Sequence, residues 1–185
     1  MDNYHKKLMN QLRESYGKLT YTYTAHNKMA NRMNRKANNI AFSKIILSAI
    51  STGGLLGTIF LDKYYLKIIT ALISTILLII NLYFKESQLS EKILEHRKAA
   101  DSLWLIREQY ISLMTDFEQL SIDTICTQRD HLIDASSKIY NNSPRTDSKS
   151  YVATQNALKN DEEQFFTEEE IDKMLPKHLR NTKCN

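Results

Sequence analysis

Residues that could carry out chemistry are few in this sequence of 185 residues. Its two cysteines, Cys126 and Cys184, are too few for a disulfide framework or for a zinc site with four ligands at set spacings. The four glycines form no phosphate-binding loop. Because there is neither a Ser/His/Asp order nor a paired-carboxylate signature, we predict that the protein is not an enzyme and has no catalytic residue, cofactor or metal.

Two histidines, His26 and His96, each lie on an apolar stripe of a predicted helix. If the two helices pack together, the imidazoles can meet, and they would then form a metal pair or a pH switch. No cluster of carboxylates accompanies them, so we favour packed or hydrogen-bonded side chains over a metal site.

The elements that must position these residues are dominated by two uncharged stretches, Ile45–Leu61 and Ile68–Phe84, of 17 residues each. At about 1.5 Å per residue each is roughly 25 Å long, the lower limit for crossing a hydrocarbon core. Lysines at their ends can reach the headgroups, which lengthens the predicted spans to 40–61 and 64–84. A buried hairpin in a soluble bundle is the alternative, and it is less favoured because such helices seldom stay uncharged for so long.

The distribution of positive charge predicts how the spans are oriented. Residues 25–44 carry five Lys/Arg and residues 85–104 carry four, whereas the connecting loop has only Lys63 and Lys67. Positive charge concentrates on the cytoplasmic side of membrane proteins, so we expect both termini in the cytoplasm and a very short outer loop. Because only about six residues join the spans, the two helices must be antiparallel neighbours.

The first span carries a pattern of small residues, Ala49, Gly53 and Gly57, spaced four apart. This spacing lets helix backbones approach closely, either within one hairpin or between chains. The pattern does not distinguish the two, and we expect it to serve helix packing or oligomerisation.

Neither uncharged stretch contains an ionisable residue, which disfavours pumps and proton-coupled transporters. Two helices cannot enclose a pore, so conduction would require several chains. In such an assembly Ser74, Thr75 and Asn81 are the candidates to line the pathway. The alternative is that these polar side chains only contact other helices.

Heptad-like apolar stripes flank both spans. One stripe lies on a helix predicted over 4–39, which runs directly into the first span, and the other lies on a helix predicted over 85–138. We expect the two to pack as a coiled-coil-like bundle, within one chain or between chains. The residues assigned to this packing are Tyr23, His26, Met33, Leu103, Trp104, Arg107 and Tyr110.

The predicted fold class is therefore an all-α membrane protein, a two-span transmembrane hairpin with long cytoplasmic helical extensions. Residues 1–140 form the two-span domain, and residues 141–185 form a linker followed by a small helix. That helix begins with the capping box Thr167–Glu170 and ends before Pro176. A frayed end is expected for the basic tail, Lys177–Asn185.

The segment Arg97–Tyr110 (RKAADSLWLIREQY), which follows a basic helix and two adjacent spans, resembles the SLATT family of two-span effectors in bacterial conflict systems. The subfamily found beside reverse transcriptases is the most similar. The resemblance implies a protein of the bacterial inner membrane that stays silent until a nearby-encoded sensor, a nucleotidyltransferase or a reverse transcriptase, signals infection. It would then form homo-oligomers in the lipid bilayer and permeabilise it, an abortive-infection response to phage.

Two other functions remain open from the residues alone. A non-conducting membrane scaffold would recruit cytosolic partners through the helical flanks. A membrane-tethered nucleic-acid binder would use residues 1–44, which carry a net charge of +7. We do not expect nucleic acid to be a direct partner, because the positive-inside rule already explains that charge.

Overall fold

The computed structural model describes residues 3–61, 63–84 and 86–180. This part of the chain is helical without a strand, which confirms the predicted all-α class with a two-span hairpin. Residues 62, 85 and 181–185, with Cys184 and the end of the basic tail, lie outside the described residues. The helices are α1 (Asn3–Leu61), α2 (Tyr64–Tyr83), α3 (Glu86–Thr115), α4 (Ile122–Asn142), α5 (Ser148–Lys159) and α6 (Glu168–Met174), with a final 3-10 turn over Lys177–Leu179.

Helix α1 is continuous over 59 residues and runs from the polar flank into the first span without a break, as expected. The burial of its side chains changes along its length. Leu8, Leu12 and Leu19 are buried against other helices, whereas large apolar side chains from Phe42 onward are exposed. The most apolar stretches of the two spans, each long enough to cross a membrane, are not buried inside the chain. The fold therefore does not contain the buried hairpin that the soluble-bundle alternative requires.

A bundle is formed by residues 3–39 of α1 together with α3, α4 and α5, and it holds the apolar core. The two heptad-like stripes meet here within one chain. Burying these apolar side chains is the main source of stability for the bundle. The core residues are Leu8, Leu12, Leu19, Leu103, Ile106, Tyr110, Leu113, Phe117, Ile125 and Leu132.

The single helix predicted over 85–138 is wrong, because α3 ends at Thr115 and α4 begins at Ile122. Phe117 lies in the turn between them and is only 2% exposed, so its ring anchors the reversal in the core. Ser121 caps α4 by accepting the Thr124 amide at 3.2 Å. No Gly or Pro marks this turn, and apolar periodicity alone therefore did not reveal it.

Helix α5 was not predicted, and it packs on α1 rather than forming part of a linker. Asp147 caps it by accepting the Ser150 amide at 2.9 Å. Its buried face consists of small side chains, Ser150, Thr154 and Ala157, which carry little apolar signal in the sequence. Part of the segment 141–185 therefore belongs to the bundle.

The capping box predicted at α6 is present. Glu170 N donates to Thr167 Oγ1 at 3.3 Å, and Thr167 N donates to Glu170 Oε2 at 2.8 Å. The helix ends at Met174, two residues before Pro176, as expected from the sequence.

Candidate functional site in the membrane hairpin

The two spans contact each other through small and hydroxylated residues. At Gly54 an added Cβ would lie 2.5 Å from Thr70 Oγ1, so the helix backbones approach closely at this point. One turn away, Ser51 Oγ and Ser74 Oγ form a hydrogen bond of 2.6 Å across the hairpin. The sequence did not single out Gly54 or Thr70, because the four-residue spacing drew attention to the neighbouring glycine.

The predicted packing residues Ala49, Gly53 and Gly57 do not form this contact. A Cβ added at Gly53 or Gly57 would meet nothing within 4 Å. Because Gly53 is two residues from Ser51, it lies about 160° around the helix from it. We call Ala49, Gly53 and Gly57 the glycine ridge. Ala49 and Gly53 are exposed on the side of α1 away from the Ser51–Ser74 bond, whereas Gly57 is half-buried.

Polar side chains also follow the contact between the two spans. Ser74 and Asn81 are seven residues apart, so they lie on the same side of α2, two turns from each other. Ser74 is bonded to Ser51, and Ser48 lies one turn from Ser51 on α1. Ser48, Ser51, Ser74 and Asn81 form what we call the polar flank.

Thr75, the third candidate for lining a pathway, does not belong to the polar flank. It lies about 120° around the helix from Asn81. Its hydroxyl donates to the Ala71 carbonyl at 2.9 Å, an intrahelical bond that satisfies it in an apolar environment. The structure therefore separates Thr75 from Ser74 and Asn81.

His26 and His96 meet in the bundle, with their Nδ1 atoms 2.9 Å apart. Both side chains are buried, at 3% and 2% exposed. Burial lowers the pKa of His26 to about 4, with a further contribution from the neighbouring His96, and burial also lowers the pKa of His96. The pair is hydrogen bonded, and among the described residues no group of three or more metal-ligating side chains occurs.

Arg107, which is unusual on an apolar stripe, finds partners inside the chain. Its guanidinium bonds Glu108 Oε1 at 2.9 Å and Tyr16 Oη at 3.1 Å, and it lies 5.4 Å from the centre of the Tyr16 ring. The side chain is only 11% exposed. The bonds to a carboxylate and a phenol offset the free-energy cost of burying its charge. The sequence left this partner unidentified.

The other residues assigned to helix packing divide into two groups. Leu103 and Tyr110 are buried in the core, and Tyr23 and Met33 are half-buried. Trp104 differs, because it is 45% exposed on the outer face of α3 beside the exposed Leu105. Its assignment to helix packing, within one chain or between chains, stays a prediction.

A comparison with known families identifies the chain. The family described as "SMODS and SLOG-associating 2TM effector domain family 4" matches residues 8–170. The protein belongs to the SLATT family. No curated protein and no solved structure matches it.

The SLATT match confirms the family resemblance seen in the sequence and gives the coarse function, a two-span membrane effector domain of conflict systems. The match extends past residue 141 and includes α5, in agreement with the packing of that helix on α1. Its description names SMODS and SLOG and does not mention reverse transcriptases, so an association with a reverse transcriptase stays a prediction.

Proposed function

We propose that this SLATT protein is an effector of a bacterial antiphage system that oligomerises and permeabilises the inner membrane when triggered. No enzymatic step is part of the proposal. The observation that carries it is the glycine ridge, where a Cβ added at Gly53 or Gly57 meets nothing within 4 Å, on a span whose own close hairpin contact lies at Gly54. A ridge of small residues that a chain leaves uncovered is suited to close packing against the helix of another chain.

The polar flank supports permeabilisation over a purely structural oligomer. In lipid, exposed polar side chains are costly, and they are favoured where they face a protein interior or a water-filled path. On α1, the glycine ridge lies on a different side of the helix from Ser48 and Ser51 of the polar flank. Several hairpins joined through their ridges can therefore turn their polar flanks toward a shared centre.

The trigger in this proposal is a nucleotide signal or a retron-type sensor encoded nearby, and the bundle is the part that receives it. The identity of this trigger is taken from the family resemblance. In the resting protein the bundle is held by a well-packed core, so a signal must release or rearrange it before the hairpins assemble.

Membrane potential tests the proposal most directly. We expect inner-membrane depolarisation ahead of cell death when the chain is induced with its neighbouring genes and phage, followed with a voltage-sensitive dye. An intact potential under every triggering condition, with the protein confirmed in the membrane, would contradict permeabilisation.

A double variant tests the role of the ridge. Gly53→Ile/Gly57→Ile places branched side chains on the close-packing surface, and we expect it to abolish depolarisation while the protein stays in the membrane. Gly17→Ile is the matched control, because Gly17 is helical, exposed and outside the spans, and a Cβ there meets nothing within 4 Å. Full depolarisation by the double variant would exclude the ridge from the mechanism.

A second pair of variants tests the polar flank. We expect Asn81→Leu to reduce depolarisation, because it removes a polar side chain from the proposed pathway. Thr75→Val is the control, since Thr75 lies on a different side of α2 and its hydroxyl is satisfied by Ala71. Equal loss in both variants would argue against a specific pathway along this flank.

A membrane scaffold is the second candidate function, and the outer face of α3 favours it. Leu94, Trp104 and Leu105 are 50%, 45% and 55% exposed on that helix, which would suit docking of a cytosolic partner. Under this function, Trp104→Ala/Leu105→Ala would abolish recovery of a partner in pull-downs, and the membrane potential would stay intact under every triggering condition.

A further inference from the structure

A cavity of about 160 Å³ lies where α1 leaves the bundle and enters the first span. Helix α1 forms one wall of the cavity, and the end of α2 and the start of α3 form the other. Apolar side chains, among them Ile40, Ala41 and Phe84, form much of its surface, and three lysines, Lys36, Lys44 and Lys92, complete it.

Among the described side chains, none neutralises the positive charge of this cavity. No acidic residue is among its described lining residues, and no described carboxylate pairs with any of its three lysines. Lys36 Nζ lies 5.5 Å from the centre of the Phe84 ring, which holds one ammonium group beside the apolar wall. A neighbouring groove is lined by Lys36 and Arg35, and no acidic residue is among its described lining residues.

The position of the cavity along the membrane normal selects its ligand. Ile40 and Phe84 are the ends of the two spans, so the cavity lies at headgroup depth on the side that carries the excess of positive charge. A ligand that fits must place a negative charge near the lysines and an apolar chain along the spans.

We propose that this cavity binds one anionic phospholipid, with the phosphate between Lys36, Lys44 and Lys92 and an acyl chain along Ile40 and Phe84. Basic pockets between helices at this side of a membrane bind anionic headgroups in other proteins. The occupant contacts α1, α2 and α3 together, at the junction between the hairpin and the bundle. This lipid site is independent of whether the hairpins conduct.

The test uses the full-length protein in detergent micelles doped with phosphatidylglycerol or with phosphatidylcholine, and native mass spectrometry counts the retained lipid. We expect retention of phosphatidylglycerol over phosphatidylcholine. The triple variant K36Q/K44Q/K92Q is expected to lose this retention by on the order of tenfold or more. The control triple K6Q/K7Q/K138Q removes the same charge from exposed sites away from the cavity and is expected to bind as wild type.

A second variant separates cavity binding from general attraction to charge. Ala41→Phe keeps all three lysines and fills the cavity, and we expect it to reduce lipid retention as well. Circular dichroism checks that both variants keep the helical content of the wild type, and the Ala41→Phe result stands even if the lysine variant unfolds.

Four outcomes would overturn the proposal. Equal retention of the two lipids would remove the headgroup preference, and an equal loss in the control triple would reduce it to general electrostatics. Inorganic phosphate or glycerol 3-phosphate displacing the lipid at equal concentration would assign the lysines to a soluble phosphate instead. Unchanged retention in Ala41→Phe would place the lipid outside the cavity.

Discussion

The His26–His96 pair shows how two ordinary residues become sensitive to pH when a fold brings them together. At 2.9 Å between Nδ1 atoms, one ring must donate its N–H and the other must accept it. Because burial lowers the pKa of both rings, both are neutral at pH 7, and protonation of the accepting ring would turn two N–H groups toward each other. Around the pair, Glu95 and Asp147 raise the pKa of His96 and Arg32 lowers it, but burial is the largest influence and lowers it.

This pair predicts a loss of stability in mild acid. Because the pKa of His26 falls from 6.5 to about 4 on folding, the unfolded chain binds more protons across that window. Stability is therefore complete above about pH 6.5 and decreases as the pH falls toward 4, by roughly 3 kcal/mol in all. Thermal unfolding followed by circular dichroism at pH 7.5 and pH 5 tests this. His131→Gln, at an exposed histidine on α4, should leave the difference unchanged.

Single and double substitutions of the pair separate hydrogen bonding from packing. We expect His26→Leu to destabilise the bundle by about 1–3 kcal/mol, because it leaves a buried His96 nitrogen without its partner. His26→Leu/His96→Leu should cost less than the single change, since no buried polar atom is then stranded. The double variant should also lose the pH dependence of the melting temperature. A double variant as pH-sensitive as the wild type would contradict the assignment.

Gly54 is the residue on which the hairpin contact depends most closely. Gly54→Ala places a Cβ 2.5 Å from Thr70 Oγ1, and threonine has restricted side-chain rotation on a helix, so we expect the spans to separate. Cross-linking of Ser51→Cys to Ser74→Cys in a Cys126→Ser/Cys184→Ser background reports the contact, because the two hydroxyls are 2.6 Å apart. Thr70→Ala should restore cross-linking, and failure to do so would indicate another cause.

At the scale of elements, one residue with two roles, Asp147, adds to the packing of the buried face of α5 on the bundle. Asp147 caps the helix through Ser150 N at 2.9 Å and forms an ion pair with Arg32 of α1. The hydrogen bond with Arg32 is the main reason that the pKa of Asp147 falls to about 2. The docking therefore persists through the neutral range, and it weakens only as the pH falls below 3.8 through that value.

Substitutions of Asp147 should weaken the docking of α5, and the loss of both the cap and the ion pair should weaken it more than the loss of the ion pair alone. Asp147→Asn keeps a capping oxygen and loses the ion pair, whereas Asp147→Ala loses both and costs about 1 kcal/mol more for the missing cap. We expect faster amide hydrogen exchange over 148–159, with the larger increase in Asp147→Ala. Asp134→Asn, at an exposed site on α4, is the control. Unchanged exchange in both Asp147 variants would mean that the buried face of α5 alone holds the helix.

Sequence predicted the elements whose signal is periodic and missed those defined by single contacts. The spans and the two heptad-like stripes were visible because apolar residues repeat along them. The turn at Phe117 and the helix α5 were not visible, because one has no Gly or Pro and the other buries Ser150 and Thr154. At the hairpin, the spacing of Gly53 and Gly57 was recognised, but which glycine faces α2 depends on helix rotation.

At the scale of the whole molecule, the fold places both flanks of the hairpin on the same side of the membrane, and charge predicts which side that is. Residues 3–39 of α1 pack against α3, so the two flanks of the hairpin lie on the same side of any membrane that it crosses. Residues 25–44 carry five Lys/Arg, against Lys63 and Lys67 at the opposite end of the hairpin. The positive-inside rule then predicts that the whole bundle is cytoplasmic.

Site-directed labelling tests this topology in a Cys126→Ser/Cys184→Ser background. Lys63→Cys and Asn10→Cys place single thiols at exposed positions, one in the connecting turn and one on the bundle. We expect a membrane-impermeant maleimide to label residue 63 but not residue 10 in intact spheroplasts, and to label both after permeabilisation. Labelling of residue 10 before permeabilisation would put the bundle outside, where a cytoplasmic nucleotide signal could not reach it. The proposed trigger, and not only the orientation, therefore depends on this result.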